Sequence, residues 1–192
     1  MARHDRVAID LGTGDGRAVL AAAARDPRTL VIGMDANAAA MAEASRRAAA
    51  PARKGGFPNA AFVLAAAESA PRALAGVAHV VTVRFPWASL LRGCLGQDAA
   101  VASGIASLVA GRGDLELLLA PSARDLLDGL PTEPEGVAVA AIRTFEPFGF
   151  ETVDARRATD VEIAASGSTW AKRLRSQRPT DRTVMLVRMV RP

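Results

Sequence analysis

Ile9-Asp10-Leu11-Gly12-Thr13-Gly14-Asp15-Gly16 joins a short apolar run, Val7–Leu11, to an alanine-rich stretch, Arg17–Arg25, that reads as a helix. Glycines here let the chain turn sharply and approach a ligand closely, with the N–H groups of a helix start pointing at it. Alone, Gly-x-Gly-x-Gly carries little, because any tight strand-to-helix turn can use it. Two acids add to it. Asp35 ends the next apolar run, Leu30–Met34, 19 residues after Gly16, where an acid accepts both ribose hydroxyls of an adenosine. Glu68 follows a third run, Ala61–Ala65, so Asp10, Asp35 and Glu68 are expected along the carboxyl edge of adjacent strands.

A dinucleotide-binding domain would share Asp35, but it spaces its glycines as Gly-x-Gly-x-x-Gly, and here the third comes one residue early. Asp10, inside the first strand, suits S-adenosylmethionine (SAM) better: its carboxylate can reach the cofactor's ammonium group directly or through water. The competing structural roles are a cap on the glycine turn for Asp10 and a helix N-cap for Glu68. The spacing favours a ligand role for Asp10 and Asp35 and leaves Glu68 open.

Outward from this turn, strands and helices alternate. Ala38–Ala50 reads as a helix closed by Pro51, and Ala52–Asn59 as a Gly/Pro loop. Val77–Phe85 is a fourth strand, Asp98–Ala110 a helix, Leu115–Ala120 a fifth strand, with helices around Ala123–Leu127 and Val137–Thr144. Phe150–Ala155 and Thr183–Met189 close the series as two strands flanking a basic insert, about residues 156–182. The expected fold is α/β: a single domain over 1–192, with a mostly parallel seven-stranded sheet, helices on both faces and an antiparallel C-terminal strand.

Composition narrows the classes. No apolar run approaches ~20 residues and the N-terminus lacks a signal-peptide core, so neither a membrane span nor export is expected. The lone cysteine, Cys94, cannot form an internal disulfide and fits a reducing cytoplasm. Trp170–Pro192 holds seven basic residues (Lys172, Arg173, Arg175, Arg178, Arg182, Arg188, Arg191) against Asp181, a net +6, within a chain of net +4. The remaining residues therefore carry −2, and a basic end on a near-neutral body suggests a polyanionic partner.

At Phe85-Pro86-Trp87-Ala88-Ser89-Leu90-Leu91-Arg92-Gly93 the chain resembles the 16S ribosomal RNA methyltransferases that modify N1 of adenine 1408 and confer aminoglycoside resistance. Their Asp-x-Gly-Thr-Gly-Asp-Gly motif is matched by Asp10–Gly16, and their Pro-Trp-x-Ser-Leu-Leu-Arg-Gly segment by Pro86–Gly93. Ser168–Arg173 matches their Thr/Ser-Trp followed by basic residues; Gly56–Asn59 and Ala66–Glu68 also correspond. The likeness spans nearly the whole chain. Such enzymes usually carry an extension ahead of the first core strand, where this chain has Met1–Arg6, and a second helix richer in lysine; both departures bear on docking.

The resemblance implies a class I, Rossmann-like methyltransferase that takes SAM and releases S-adenosylhomocysteine. Residue by residue it implies Asp10, Gly12, Thr13, Gly14, Asp35, Ala36, Ala67, Glu68 and Thr169 at the cofactor. Trp87 and Trp170 would hold the target adenine, with Phe85, Ser168 and Thr169 at the reactive centre. The implied partner is the decoding-site helix of 16S rRNA in the small (30S) subunit, gripped by Arg46, Arg47, Arg53, Lys54, Arg173, Arg175 and Arg178 of a cytoplasmic monomer. No metal is implied.

These residues suit the chemistry. Neutral adenine carries a lone pair on N1 and SAM is already activated, so catalysis can be mainly positioning, worth ~7–11 kcal/mol of barrier. No acid–base pair stands out: His4 lies in the N-terminal tail, and His79 opens a strand as a structural residue. A paired or packed adenine must instead be swung out and held, and two indoles can sandwich it at ~1–3 kcal/mol per stack. The rivals are a tRNA guanine-N7 methyltransferase, which usually has an acid where Phe85 stands, a small-molecule methyltransferase, which leaves the basic end unexplained, and a ribosome-binding homologue without turnover.

Overall fold

Strand β1 (Arg6–Leu11) lies in the interior of a sheet of order β3-β2-β1-β4-β5-β7-β6 in a computed structural model that describes residues 4–121, 129–167 and 183–192. The other strands are β2 (Thr29–Asp35), β3 (Ala60–Leu64), β4 (Ala78–Arg84), β5 (Val109–Leu119), β6 (Glu151–Arg157) and β7 (Met185–Val190). β1 pairs in parallel with β2 and β4, and β7 runs antiparallel between β5 and β6. The expected mixed seven-stranded α/β sheet is therefore present. From β1 the chain winds outward one way to β2 and β3, then returns to place β4 on the other side. Such a switch point opens a crevice at the carboxyl ends of the strands.

Alternation along β1 assigns its faces. Ile9 and Leu11 enter the main core with Val81, Val83, Leu115 and Leu117, covered by α3 (Ala88–Cys94), α4 (Ala99–Leu108) and α5 (Pro134–Phe145). Asp10 turns to the opposite face, where α1 (Arg17–Arg25) and α2 (Ala38–Ala48) pack through Val19, Ala23, Ala44 and Ala48. Each fully buried Leu or Ile contributes roughly 1.5–3 kcal/mol. Cys94 lies inside the main core, where burial pushes its thiol up to about 12 and leaves it unreactive.

Several elements differ from the sequence expectation. The helix expected to run to Ala110 ends at Leu108, and β5 begins at Val109 rather than Leu115. The cause is a bulge: the β4–β5 register shifts between Ala78 and Val80, and Arg112 sits at φ +62. A side chain at Gly113 would meet the Ala110 and Ala78 carbonyls at 2.9 Å, so the close approach needs glycine. Helix α3 was not anticipated from the Pro-Trp segment. Nor was α6 (Asp160–Ala165), although Thr159 and Glu162 form a capping box at its start. The Arg156 guanidinium bonds both Glu162 oxygens and holds that carboxyl well below the usual carboxylate range, with Thr159 adding to the effect. The helix expected around Ala123–Leu127 lies outside the described residues.

The basic C-terminal end divides. Arg188 pairs with Glu116 at 3.1 Å. Arg191 donates to the Val109 and Ala106 carbonyls at 2.8 and 2.9 Å and stacks over Phe150. These two arginines tie β7 to its neighbours and are not free for a polyanion. His79 is exposed; its Nδ1 accepts the Val7 N–H at 3.2 Å, the structural role expected of it.

Candidate cofactor and base-binding site

The glycine turn follows β1 with Gly12, Gly14 and Gly16 at φ +72, +58 and +69. A Cβ at Gly16 would stand 2.7 Å from that of Ala44, so glycine is what lets the start of α1 close on α2. Gly12 N–H donates to the Met34 carbonyl at 2.8 Å, docking the turn on the end of β2. Thr13 is buried, and its hydroxyl donates to Asp10 Oδ2 at 2.8 Å.

Asp35, at the end of β2, organises the other side of the turn. Its Oδ2 accepts the Gly14 N–H and its Oδ1 the Asn37 N–H, both at 2.8 Å. Each carboxylate oxygen has two acceptor positions, so each keeps one for an outside donor. Two vicinal hydroxyls match that pair. Asn37 in turn caps α2, its side chain accepting from Ala40 N–H.

A cleft of ≈ 290 Å³ opens here, walled by Leu11, Gly12, Asp35 and Ala36 on one side and by Ala67 and Glu68 beyond β3. Phe85, Pro86 and Trp87 form its far rim, and Ser89, Leu90 and Val101 complete it. Ala67 is buried and Glu68 exposed in a short 3-10 turn, Ala67–Ser69, whose N-cap is Ala66; the N-cap role weighed for Glu68 is thus not taken. Gly104 of α4 packs directly on the Ala67 carbonyl, where any side chain would collide. Of the expected cofactor residues, Gly12, Asp35, Ala36, Ala67 and Glu68 share this cleft, while Asp10, Thr13 and Gly14 support the turn without walling it. Asp10 is buried, with Oδ1 accepting from Arg84 at 2.7 Å and from Thr82 at 2.9 Å. These contacts give Asp10 the turn-holding role weighed for it beside a ligand role.

The rim is strained. Phe85 and Ala88 both take left-handed backbone angles, φ +51 and +49, at a cost on the order of 1–3 kcal/mol each for non-glycine residues. Phe85 is anchored by its N–H to the Leu118 carbonyl at 2.8 Å and its side chain packs with Leu118, Val184 and Leu186. Between the strained residues Trp87 is 73% exposed. An indole held in solvent at a cleft mouth is a surface for a flat apolar ligand. Among the described residues, no three His, Cys, Asp or Glu side chains are placed to hold a metal.

Ser168, Thr169, Trp170, Arg173, Arg175 and Arg178 lie outside the described residues. Arg46 and Arg47 end α2, and Arg53 and Lys54 occupy the 3-10 turn Ala52–Lys54; all four are exposed. Arg47 lies over the Phe57 ring at 5.5 Å. Because α2 runs back from the carboxyl edge at ~1.5 Å per residue, these cations stand away from the cleft. Sequence reasoning missed Asn37, Leu90, Thr82 and Arg84; the Asn at the start of α2 was a readable cap signal, whereas the others depend on which strands and helices meet.

Comparison with known proteins agrees with this geometry. Residues 1–190 match the family described as NpmA: 16S rRNA (adenine(1408)-N(1))-methyltransferase. The chain is 32% identical to a 16S rRNA (adenine(1408)-N(1))-methyltransferase of Streptoalloteichus hindustanus, covering 99% of this chain and 90% of that protein. An Escherichia coli protein of the same name is 31% identical over 90% of this chain and 82% of its own length. The crystal structure of the 16S rRNA methyltransferase KamB superposes with TM-score 0.86 at 30% identity, covering 99% of this chain and 90% of KamB. A tryptophan-to-alanine mutant of the Catenulisporales acidiphilia 16S rRNA (adenine(1408)-N(1))-methyltransferase, solved with cosubstrate SAM, gives TM-score 0.84 at 33% identity, covering 98% and 86%.

Proposed function

The chain belongs to the 16S rRNA (adenine(1408)-N(1))-methyltransferase family, and from that premise we propose that it transfers a methyl group from SAM to N1 of adenine 1408 in the small ribosomal subunit, conferring aminoglycoside resistance. The observation that carries the reading beyond family membership is one cleft lined both by Asp35, whose two carboxylate oxygens each keep an acceptor position, and by an exposed indole, Trp87. SAM, when bound, supplies the activated methyl group. Asp35 receives the ribose hydroxyls, Ala36, Ala67 and Glu68 border the adenosine, and Gly12 lets the methionine end lie close to the backbone. Trp87 and Trp170 hold the flipped adenine, with Phe85, Ser168 and Thr169 shaping the reactive centre. N1 needs no deprotonation, so these groups orient the attack and keep water from it. The purine gains positive charge as the methyl arrives, which an indole face stabilises.

The chain acts as a single domain, a cytoplasmic monomer, with a basic insert between β6 and β7. No helix of the described residues is long and apolar enough to cross a membrane. The test of the activity is primer extension on 16S rRNA from subunits incubated with protein and SAM. An N1-methyl blocks base pairing, so reverse transcription is expected to stop beside adenine 1408; full-length extension after an incubation that consumes no SAM would refute the activity.

Docking rests on several separated cations, Arg46, Arg47, Arg53, Lys54, Arg173, Arg175 and Arg178. Reversing Arg175 and Arg178 to Glu is expected to weaken subunit binding and lower the slope of log affinity against log salt by about 1 per lost phosphate contact. SAM binding should persist. Salt-independent binding of the parent protein to subunits contradicts this account.

A further inference from the structure

Arg84 is the last residue of β4, immediately before Phe85-Pro86-Trp87. Its NH1 donates to Asp10 Oδ1 at 2.7 Å, with side chains 23% and 9% exposed. Thr82, which lies opposite Asp10 across the β1–β4 pairing, donates to the same oxygen at 2.9 Å. Thr13 donates to the other oxygen. A carboxylate offers about four acceptor positions, and three are filled by this chain. The guanidinium reaches Asp10 from the α1 side of the sheet, where both residues line a second hollow of ≈ 270 Å³. Its charge is thus compensated from behind the cofactor cleft.

We propose that Arg84 is a positioning residue for methyl transfer: through Asp10 it fastens the glycine turn to the end of β4, so that the cofactor loop and Trp87 move as one body. Asp10 is the middle of this bracket, with Thr13 on the loop side and Arg84 and Thr82 on the strand side. The strained pair Phe85 and Ala88 follows directly, and strained backbone persists only where its surroundings over-determine it. Trp87 is too exposed to hold itself. In a reaction that runs on alignment, a 1 Å displacement costs on the order of 10²-fold.

The inference rests on the proposed activity, and the experiment separates the two. Arg84→Met, Arg84→Lys, Thr82→Val and the parent are compared for single-turnover methylation of 30S subunits, calorimetric binding of S-adenosylhomocysteine, subunit affinity as a function of salt, and melting. Arg84→Met is expected to lose about 10²-fold in single-turnover rate, with cofactor affinity, subunit affinity and salt slope close to the parent's. Arg84→Lys should recover part of the rate, since an ammonium can still pair with Asp10. Thr82→Val, which removes the other β4 donor and conserves shape, should lose rate in the same sense if Arg84→Met does not fold. A parental rate in Arg84→Met, or in Thr82→Val where the former does not fold, overturns the bracket. So does a loss confined to subunit affinity and salt slope, which would make Arg84 an rRNA phosphate contact. A parent protein that methylates no subunits defeats the activity itself.

Discussion

Methylation of isolated small subunits is expected to fall by about 10²-fold or more when Trp87 is replaced by alanine, with little change in stability. Trp87 is 73% exposed, so truncation opens no cavity, and surface changes of this kind usually stay within about ±0.5 kcal/mol. In the proposed clamp, what is removed is one face of the stack, worth about 1–3 kcal/mol, and with it the alignment of N1. Trp170→Ala should behave alike, and the double variant little worse than either single, because a sandwich with one face missing no longer positions the base. Trp87→Phe should keep part of the rate, since a smaller ring still stacks. The comparison is single-turnover rate against subunit binding and melting in the same variants. A parental rate in Trp87→Ala would mean that the adenine is held by other groups.

Asp35→Ala is expected to remove most SAM affinity. In the proposed binding mode the charge-assisted bonds to the ribose hydroxyls are lost, together about 1.5–3 kcal/mol. The structure adds a second loss: the same carboxylate fixes Gly14 N–H and Asn37 N–H, so the glycine turn and the start of α2 loosen together. Calorimetry with SAM and S-adenosylhomocysteine should show at least a roughly tenfold weakening, the equivalent of ~1.4 kcal/mol. Asp35→Asn should be milder, because an amide oxygen can still accept one of the bonds. Unchanged affinity in Asp35→Ala would place the cofactor elsewhere.

The alternating architecture, the glycine turn and the acid at the end of β2 can all be read from residue order. These features rest on local rules: period-two and period-3.6 patterning, the backbone freedom of glycine, and the length of a strand-helix-strand unit. The Pro-Trp break after β4 was equally legible, since Pro86 interrupts an apolar run. Local patterning also read the β5 boundary wrongly, because a bulge at Gly111–Gly113 hides the alternation.

The partners of the charges depend on which strands the fold sets side by side. Asp10 is within a few residues of the cofactor turn in sequence, yet its carboxylate is claimed by Arg84, 74 residues on. Arg188 and Arg191 count toward a basic tail in sequence, but Glu116 and the Val109 and Ala106 carbonyls engage them. The Pro86 break puts Trp87 at the strand's edge, but its 73% exposure, between the left-handed Phe85 and Ala88, is seen only in the fold. Local backbone preference acts over a few residues and shows in their order, whereas a charge or an aromatic ring is satisfied by whatever strand order and register bring within a few ångströms.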